Sequence, residues 1–367
     1  MRLRTLGLGA LAAALGMVIP GPAAVSAAAN LRISGNKLID GRGRGHVVQL
    51  RGVNRSGTEY ACIQGWGFFD SPHPDQPDSP GMIAAMKSWR INAVRVPLNE
   101  DCWLGINTPA GRGGAPYQRI IEQYVRELNA AHLYVILDLH VAAPGSTPSI
   151  HIDRMPDADH APTFWRSVAS TFKNNHTLVF DLYNEPNHVD WGCWQQGCTI
   201  PAYDDGYGLQ PSYRAAGMQQ LLDAVRSVGA AQPVMAGGIN WSLDLSQWLS
   251  HPLDDPLHRL AASEHNYGIL SPCTGGCRSA ILAVHKHHPV VIGELGETDC
   301  RHSYIDGFMR FADRHRLSYL GWTWDAGGGW TCTGGPTLIS DYSGTPTPFG
   351  IGLRNHLRAL GKPRRPS

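Results

Sequence analysis

The chain has 367 residues, 43% of them hydrophobic, which is too apolar for a disordered protein and long enough to bury a sizeable core. Its 42 Gly and 26 Pro exceed ordinary usage of roughly 12% but stay below the roughly 25–30% that marks low-complexity chains. With 31 Lys and Arg against 30 Asp and Glu, 17% charged residues overall and no basic run, the composition excludes nucleic acid and anionic membrane as partners and suits a polar, uncharged ligand.

In chain order, residues 1–28 come first. Arg2 and Arg4 precede an apolar stretch from Leu6 to Ile19, and small residues follow to Ala29, the pattern of a secretory signal peptide. Gly7, Gly9, Gly16 and Pro20 interrupt the stretch, which disfavours a membrane anchor. Cleavage would remove two arginines and no acids, taking the net charge from +1 to −1. Residues 29–361 are then expected to form one domain and 362–367 a loose tail, in a secreted protein with no membrane contact. Eight cysteines agree with an oxidising compartment. Local pairing is expected for Cys193 with Cys198 and for Cys273 with Cys277. Sequence order then joins Cys62 to Cys102 and Cys300 to Cys332. There is no C-x-x-C pair and no H-E-x-x-H, so no metal is expected.

Leu31–Asp40, followed by a Gly-Arg-Gly-Arg-Gly turn, reads as a short N-terminal β-hairpin. Eight apolar runs follow: Val47–Val53, Ile91–Pro97, Leu133–His140, Leu178–Tyr183, Pro233–Gly237, Leu260–His265, Pro289–Glu294 and Leu317–Trp324. Amphipathic stretches at Tyr117–His132, Ala161–Asn175, Tyr213–Gly229 and Tyr304–His315 separate several of them with helical spacing. Apolar strands alternating with helices imply a parallel sheet covered on both faces. Eight such units predict an α/β fold, a single-domain (β/α)8 TIM barrel. The open Rossmann sheet is disfavoured, because its glycine fingerprint is not found between a strand and a helix.

Barrel active sites lie at the carboxyl ends of the strands. The fourth run ends in Tyr183-Asn184-Glu185-Pro186-Asn187, and the seventh in Ile292-Gly293-Glu294-Leu295. Two carboxylates on one rim are what glycosidic cleavage needs: one protonates the leaving oxygen, the other attacks the sugar or activates water. Solvated loop residues are the ordinary reading of any single Glu, and the matched strand ends argue against it here. Arg95 inside an apolar strand needs a buried partner, and His140 and His265-Asn266-Tyr267 close two further strands. Trp66, Trp103, Trp191, Trp194, Trp241, Trp322, Trp324 and Trp330 fall at strand ends or in the loops after them. Aromatic faces cover pyranose rings, so this placement points to sugar, although loop packing accounts for about half of such residues.

Asn184-Glu185-Pro186 after the fourth strand, Glu294 after the seventh, Asn54 after the first, Arg95 in Asn-Ala-Val-Arg-Val-Pro, His140 in Asp-Leu-His, His265-x-Tyr267 and Trp322 together resemble glycoside hydrolase family 5 of the clan A barrels. The resemblance implies Glu185 as acid/base and Glu294 as nucleophile of a retaining mechanism. It implies Asn184 on the sugar 2-hydroxyl, Arg95 and Tyr267 holding Glu294, His140 and His265 ordering the bound sugar, and Trp322 stacking at the cleavage point. Trp324, two residues on, competes for that stacking role, and Asn54 and Trp66 are further expected sugar contacts. Glu297 lies beyond the strand end and ranks behind Glu294 as nucleophile. No cofactor is implied, and the expected partner is a β-glucan or related polysaccharide bound by a monomer. Endo-β-1,4-glucanase is the expected activity. β-Mannanase is the nearest rival, and a non-catalytic β-glycan-binding barrel is a third reading.

Overall fold

The structure, a computed structural model, describes residues 30–360 apart from 42–44, 78–80, 207, 269–272, 274 and 327–334. Eight parallel strands close on themselves: β1 (Arg51–Asn54), β2 (Ala93–Asn99), β3 (Tyr134–Val141), β4 (Leu178–Asp181), β5 (Val234–Gly237), β6 (Leu260–Tyr267), β7 (Val290–Gly296) and β8 (Ser318–Gly321). Each pairs with the next in sequence, and β8 returns to β1, which gives the expected (β/α)8 barrel.

Strand residues alternate between the two faces of the sheet. Ala93, Ile136, Val179, Met235, Ala261, Val291 and Leu320 form one apolar layer with Leu31, Leu38 and Val48 of the N-terminal sheet. That layer fills the amino-terminal half of the barrel. The residues between them, such as Val94, Val135, Leu137, Phe180 and Ile292, join the larger core shared with the surrounding helices. Two residues further along the inward-facing rows the chemistry changes: Arg95 follows Ala93, Asp138 follows Ile136, Asp181 follows Val179 and Ser263 follows Ala261. The barrel is therefore apolar at one end and carries a buried charged layer toward its carboxyl rim.

The expected hairpin is present as Arg32–Ser34 paired with Lys37–Asp40. A third strand, His46–Val48, joins it, so the first apolar run is divided between this sheet and β1. The helix expected from Tyr213 begins at Met218, because Tyr213–Arg214 pairs with Thr199–Ile200 as a short ribbon. Helices Ala115–Ala130, Ala161–Phe172 and Ser303–His315 lie where the periodicity puts them. The disulfides Cys62–Cys102, Cys193–Cys198 and Cys273–Cys277 form as expected. Cys300 is also disulfide-bonded, while its expected partner Cys332 lies outside the described residues. So do the expected signal peptide, most of the Gly-Arg-Gly-Arg-Gly turn, Trp330 and the C-terminal tail. No helix among the described residues is long and apolar enough to cross a membrane.

Strands β1 and β2 approach closely at Gly52, where an added Cβ would stand 1.8 Å from the Ala93 carbonyl oxygen. Backbone cannot yield as a flexible side chain can. Gly52→Ala is therefore expected to destabilise the barrel by about 3 kcal/mol or more, read as a fall in the denaturant midpoint. An unchanged midpoint would show that the two strands can separate at no cost.

Candidate active site

Arg95 is the centre of the buried charged layer and is itself wholly inaccessible. Its Nε donates to Asp181 Oδ2 at 3.0 Å, and Nη1 donates to Glu294 Oε1 at 2.9 Å and to Asn54 Oδ1 at 3.1 Å. Nη2 donates to Asn184 Oδ1 at 2.9 Å and pairs with Asp138 Oδ2 at 2.9 Å. The guanidinium fork is thus fully used. Burial works against its charge, but Asp138, Asp181 and Glu294 outweigh burial and raise its pKa. Burial pushes the Asp181 carboxyl upward in turn, opposed by Arg95.

Glu294 reaches this layer through a backbone irregularity. Simple alternation from the inward Val291 would turn residue 294 toward the helices. The pairing of β6 with β7 slips between Glu264 and His265, which face Ile292 and Glu294, so Gly293 is passed over. The same extra residue separates Ile292 from Leu295 opposite β8. Such a bulge re-aims the side chain that follows it. Gly293 suits the place, because an added Cβ would lie 2.7 Å from Ser263 Oγ and 3.1 Å from His265 Nε2. Tyr267 Oη donates a short hydrogen bond to Glu294 Oε2, so both carboxylate oxygens are held.

Glu185 follows β4 on a loop fixed from several sides. Asn184 N donates to Leu139 O at 3.0 Å, and Asn187 Nδ2 donates to Glu185 O at 3.0 Å. Its carboxyl oxygen Oε1 lies 2.8 Å from His265 Nδ1, which is 3.6 Å from Glu294 Oε2. One carboxylate oxygen of each glutamate and a ring nitrogen of His265 all lie within 4.8 Å of one another. The two acids therefore face each other across His265. Burial raises the Glu185 pKa from 4.5 to about 7, against the opposing charges of His140 and Arg95. Burial also lowers His265 to about 4, so this imidazole is neutral near pH 7. His140 is pulled down by burial, but its 2.7 Å hydrogen bond to Asp138 and the charge of Asp138 prevail and raise it. Its ring stacks on Trp322 at 5.5 Å, with 11° between the planes.

A cavity of about 690 Å³ opens over these groups, lined by His140, Ile152, Asn184, Glu185, Asn240, Trp241, Leu243, Tyr267, Glu294 and Trp322. A slightly larger depression, about 780 Å³, lies beside Ile83, Lys87, Gln123 and Glu127. It is on the outer helices Met82–Ser88 and Ala115–Ala130, away from the strand ends, and is not the site.

The structure corrects three expected sugar contacts, Asn54, Trp66 and Trp324, whereas Arg95 holds Glu294 as expected. Asn54 and Arg95 are wholly buried beneath the cavity. Asn54 donates to the Gly293 carbonyl oxygen at 2.9 Å and accepts from Arg95, so both support Glu294 from below. Trp324 is also wholly buried and packs edge-on against Trp89 at 4.8 Å, because the chain leaves β8 after Gly321. Trp66 is exposed beside Tyr60 at 6.0 Å but is not among the residues lining the cavity. Glu297 accepts from the backbone N–H groups of Tyr304 and Ile305 at 3.1 and 3.2 Å. It anchors the helix start there and does not face Glu185. The aromatic rim shrinks as well, since Trp103, Trp191 and Trp194 are core residues.

The sequence marks Trp241 only as a loop tryptophan, and the structure brings it to the cavity wall. Asn240, Trp241 and Ser242 take consecutive left-handed conformations, with φ of 63°, 58° and 56°. Such backbone costs roughly 1–3 kcal/mol per residue and persists only where the surroundings enforce it. Here Trp241 N donates to Pro186 O at 2.9 Å and Ser242 Oγ to Asn184 O at 2.8 Å. The indole, 40% exposed, is thereby tied to the loop that carries Glu185. The Asn-Trp pair just after β5 was the available sequence signal.

A closed barrel bearing two facing carboxylates at its carboxyl rim, one raised by burial and one clamped by a guanidinium, is the arrangement that hydrolysis of a glycosidic bond requires. The chain belongs to glycosyl hydrolase family 5, the cellulase family, whose pattern matches residues 44–328. It is 25% identical over 225 residues to an endoglucanase of Halalkalibacter akibai, covering 61% of this chain and 24% of the relative. It is 23% identical to a mannan endo-1,4-beta-mannosidase of Streptomyces lividans, covering 86% of this chain and 73% of that one. The chain thus spans about a quarter of the first relative's length and about three quarters of the second's. The crystal structure of a β-glucanase from Saccharophagus degradans superimposes with a TM-score of 0.66 at 20% identity, over 94% of this chain and 99% of that chain, a likeness of fold.

Proposed function

We propose that the chain is an exported, retaining endo-β-1,4-glucanase, with Glu185 as acid/base and Glu294 as nucleophile. The observation that carries this reading is the separation of the two carboxylates. Oxygens within 4.8 Å of each other suit direct attack on the sugar, for which carboxyl groups stand about 5–5.5 Å apart, better than the inverting arrangement, whose carboxyl groups stand about 6.5–9.5 Å apart to admit a water.

Glu294 attacks the anomeric carbon while Glu185 passes its proton to the departing glycosidic oxygen. Arg95 and Tyr267 hold the attacking carboxylate in one orientation, so little reorganisation accompanies the reaction. Glu185 then takes a proton from the water that releases the sugar. Asn184 presents a directed donor. Its Oδ1 is engaged by Arg95, and its buried Nδ2 has no protein partner, which suits a sugar hydroxyl above Glu294. Trp322 and Trp241 offer apolar faces on either side of the cleavage point. Export is supported by the N-terminal sequence pattern and by the disulfides.

Endoglucanase is favoured because relatives from Halalkalibacter, Xanthomonas and Thermobifida carry that name. The test is release of reducing ends from carboxymethyl cellulose and from mannan, alongside viscosity. A faster rate on the cellulose derivative, with early loss of viscosity, is expected. Faster release from mannan would make the chain a mannanase, and release from neither would leave a binding barrel.

A further inference from the structure

A second group of ionisable residues lies outside the cleft, where the loops after β2 and β3 meet. Glu100 begins the short helix Glu100–Leu104, and Asp157 and His160 precede the helix Ala161–Phe172. Glu100 and Asp157 are both buried, at 0% and 1% exposure. Among the described residues neither has a Lys or Arg within ion-pair distance. Their only cationic neighbour is His160, whose Nδ1 lies 4.0 Å from Glu100 Oε1 and 3.8 Å from Asp157 Oδ1.

Each residue offers one ligand atom. Glu100 Oε1 accepts from Ala143 N at 3.4 Å and Asp157 Oδ1 from His160 N at 2.7 Å. Glu100 Oε2, Asp157 Oδ2 and His160 Nδ1 are buried, and apart from the contact of the two carboxyls with each other and of Asp157 with Asp159 they have no hydrogen-bond partner. Buried polar atoms are seldom left in this state. A proton shared by the two carboxyls would satisfy those two residues and still leave the imidazole nitrogen bare, whereas a cation satisfies all three.

We propose that Glu100, Asp157 and His160 form a binding site for one divalent transition-metal ion of the zinc class. One ligand atom from each lies within 4.8 Å of the others. Tetrahedral ligands about 2.1 Å from zinc are about 3.4 Å apart, so small side-chain rotations complete the site. The imidazole selects against calcium and magnesium, which prefer oxygen alone. His160 is 24% exposed on its side chain, so the site lies close to the surface. The ion would bind the loop after β2 to the loop after β3, which carries the cavity residue Ile152. This inference is independent of the proposed substrate.

The test is calorimetric titration of the full chain with zinc chloride at pH 7.5, after dialysis against EDTA. One equivalent should bind, and Tm should rise by about 3–5 °C at a hundredfold excess over Kd. Glu100→Gln and His160→Ala should each lose that equivalent and the Tm rise. His160→Ala, at a partly exposed position, should fold and keep its metal-free activity. Failure of the unsubstituted chain to take up one equivalent would overturn the proposal. So would undiminished uptake by His160→Ala, because the ion would then be held elsewhere, as at Glu185, His265 and Glu294.

Discussion

Glu294→Ala is expected to lower turnover of a soluble β-1,4-glucan by about 10⁵-fold or more. Without this carboxylate nothing on that face of the sugar can form the covalent intermediate, and the retained protons on Glu185 have no attack to assist. The fold should survive the change, because Arg95 keeps Asp181 at 3.0 Å and Asp138 at 2.9 Å and is not left as an unpaired buried charge. Thermal melting checks that point. Azide added to the variant should restore part of the rate with an activated aryl glycoside. One azide nitrogen bonds to the anomeric carbon in the space vacated by the carboxylate, the aryloxide departs, and the product is the α-glycosyl azide. Near-native turnover in Glu294→Ala, or a β-configured azide, would refute the nucleophile assignment.

The barrel was legible because eight apolar runs and the helices between them report two periodicities that survive tertiary packing. The disulfide partners Cys193–Cys198 and Cys273–Cys277 were legible from spacing alone. The candidate site was legible in position and less so in direction. Glu294 ends β7 in the sequence, but its inward aim depends on the bulge at Gly293, which no periodicity announces. Asn54 follows a strand in the sequence, and only the inward face of the barrel shows it beneath the carboxylates instead of beside the sugar, whereas Arg95, inside an apolar strand, already called for a buried carboxylate partner. Tryptophan misled for a similar reason. Trp194 and Trp324 follow strands as Trp241 and Trp322 do, yet their indoles fill the core under the loops. A residue type after a strand carries no mark of whether the loop turns it inward or outward. Trp241 reaches the cavity through three successive left-handed residues, a conformation that Asn-Trp-Ser does not advertise.

Glu185→Ala should separate substrates by their leaving groups. Loss of general acid assistance should cost about 10²–10⁴-fold on a glucan, whose departing alkoxide needs the proton, and far less on a dinitrophenyl glycoside, which leaves unaided. With that activated substrate the second step becomes slow, and azide should accelerate it to give the β-glycosyl azide, since azide needs no base. Equal losses on both substrates would count against the acid role. The pH profile gives a second reading of the same group. Because burial raises Glu185 to about 7, it is protonated below that value, and kcat/KM on a glucan should fall tenfold per pH unit above it. Glu185→Gln should remove that limb. The sign for stability follows from the same shift: the unfolded chain releases this proton near 4.5 and the folded chain near 7, so the fold loses stability as pH rises between them. Glu185→Gln is therefore expected to raise Tm at pH 8 and to leave it nearly unchanged at pH 4. A gain at both pH values would mean that the carboxyl is not held protonated by burial, and the acid would have to be sought elsewhere in the cleft.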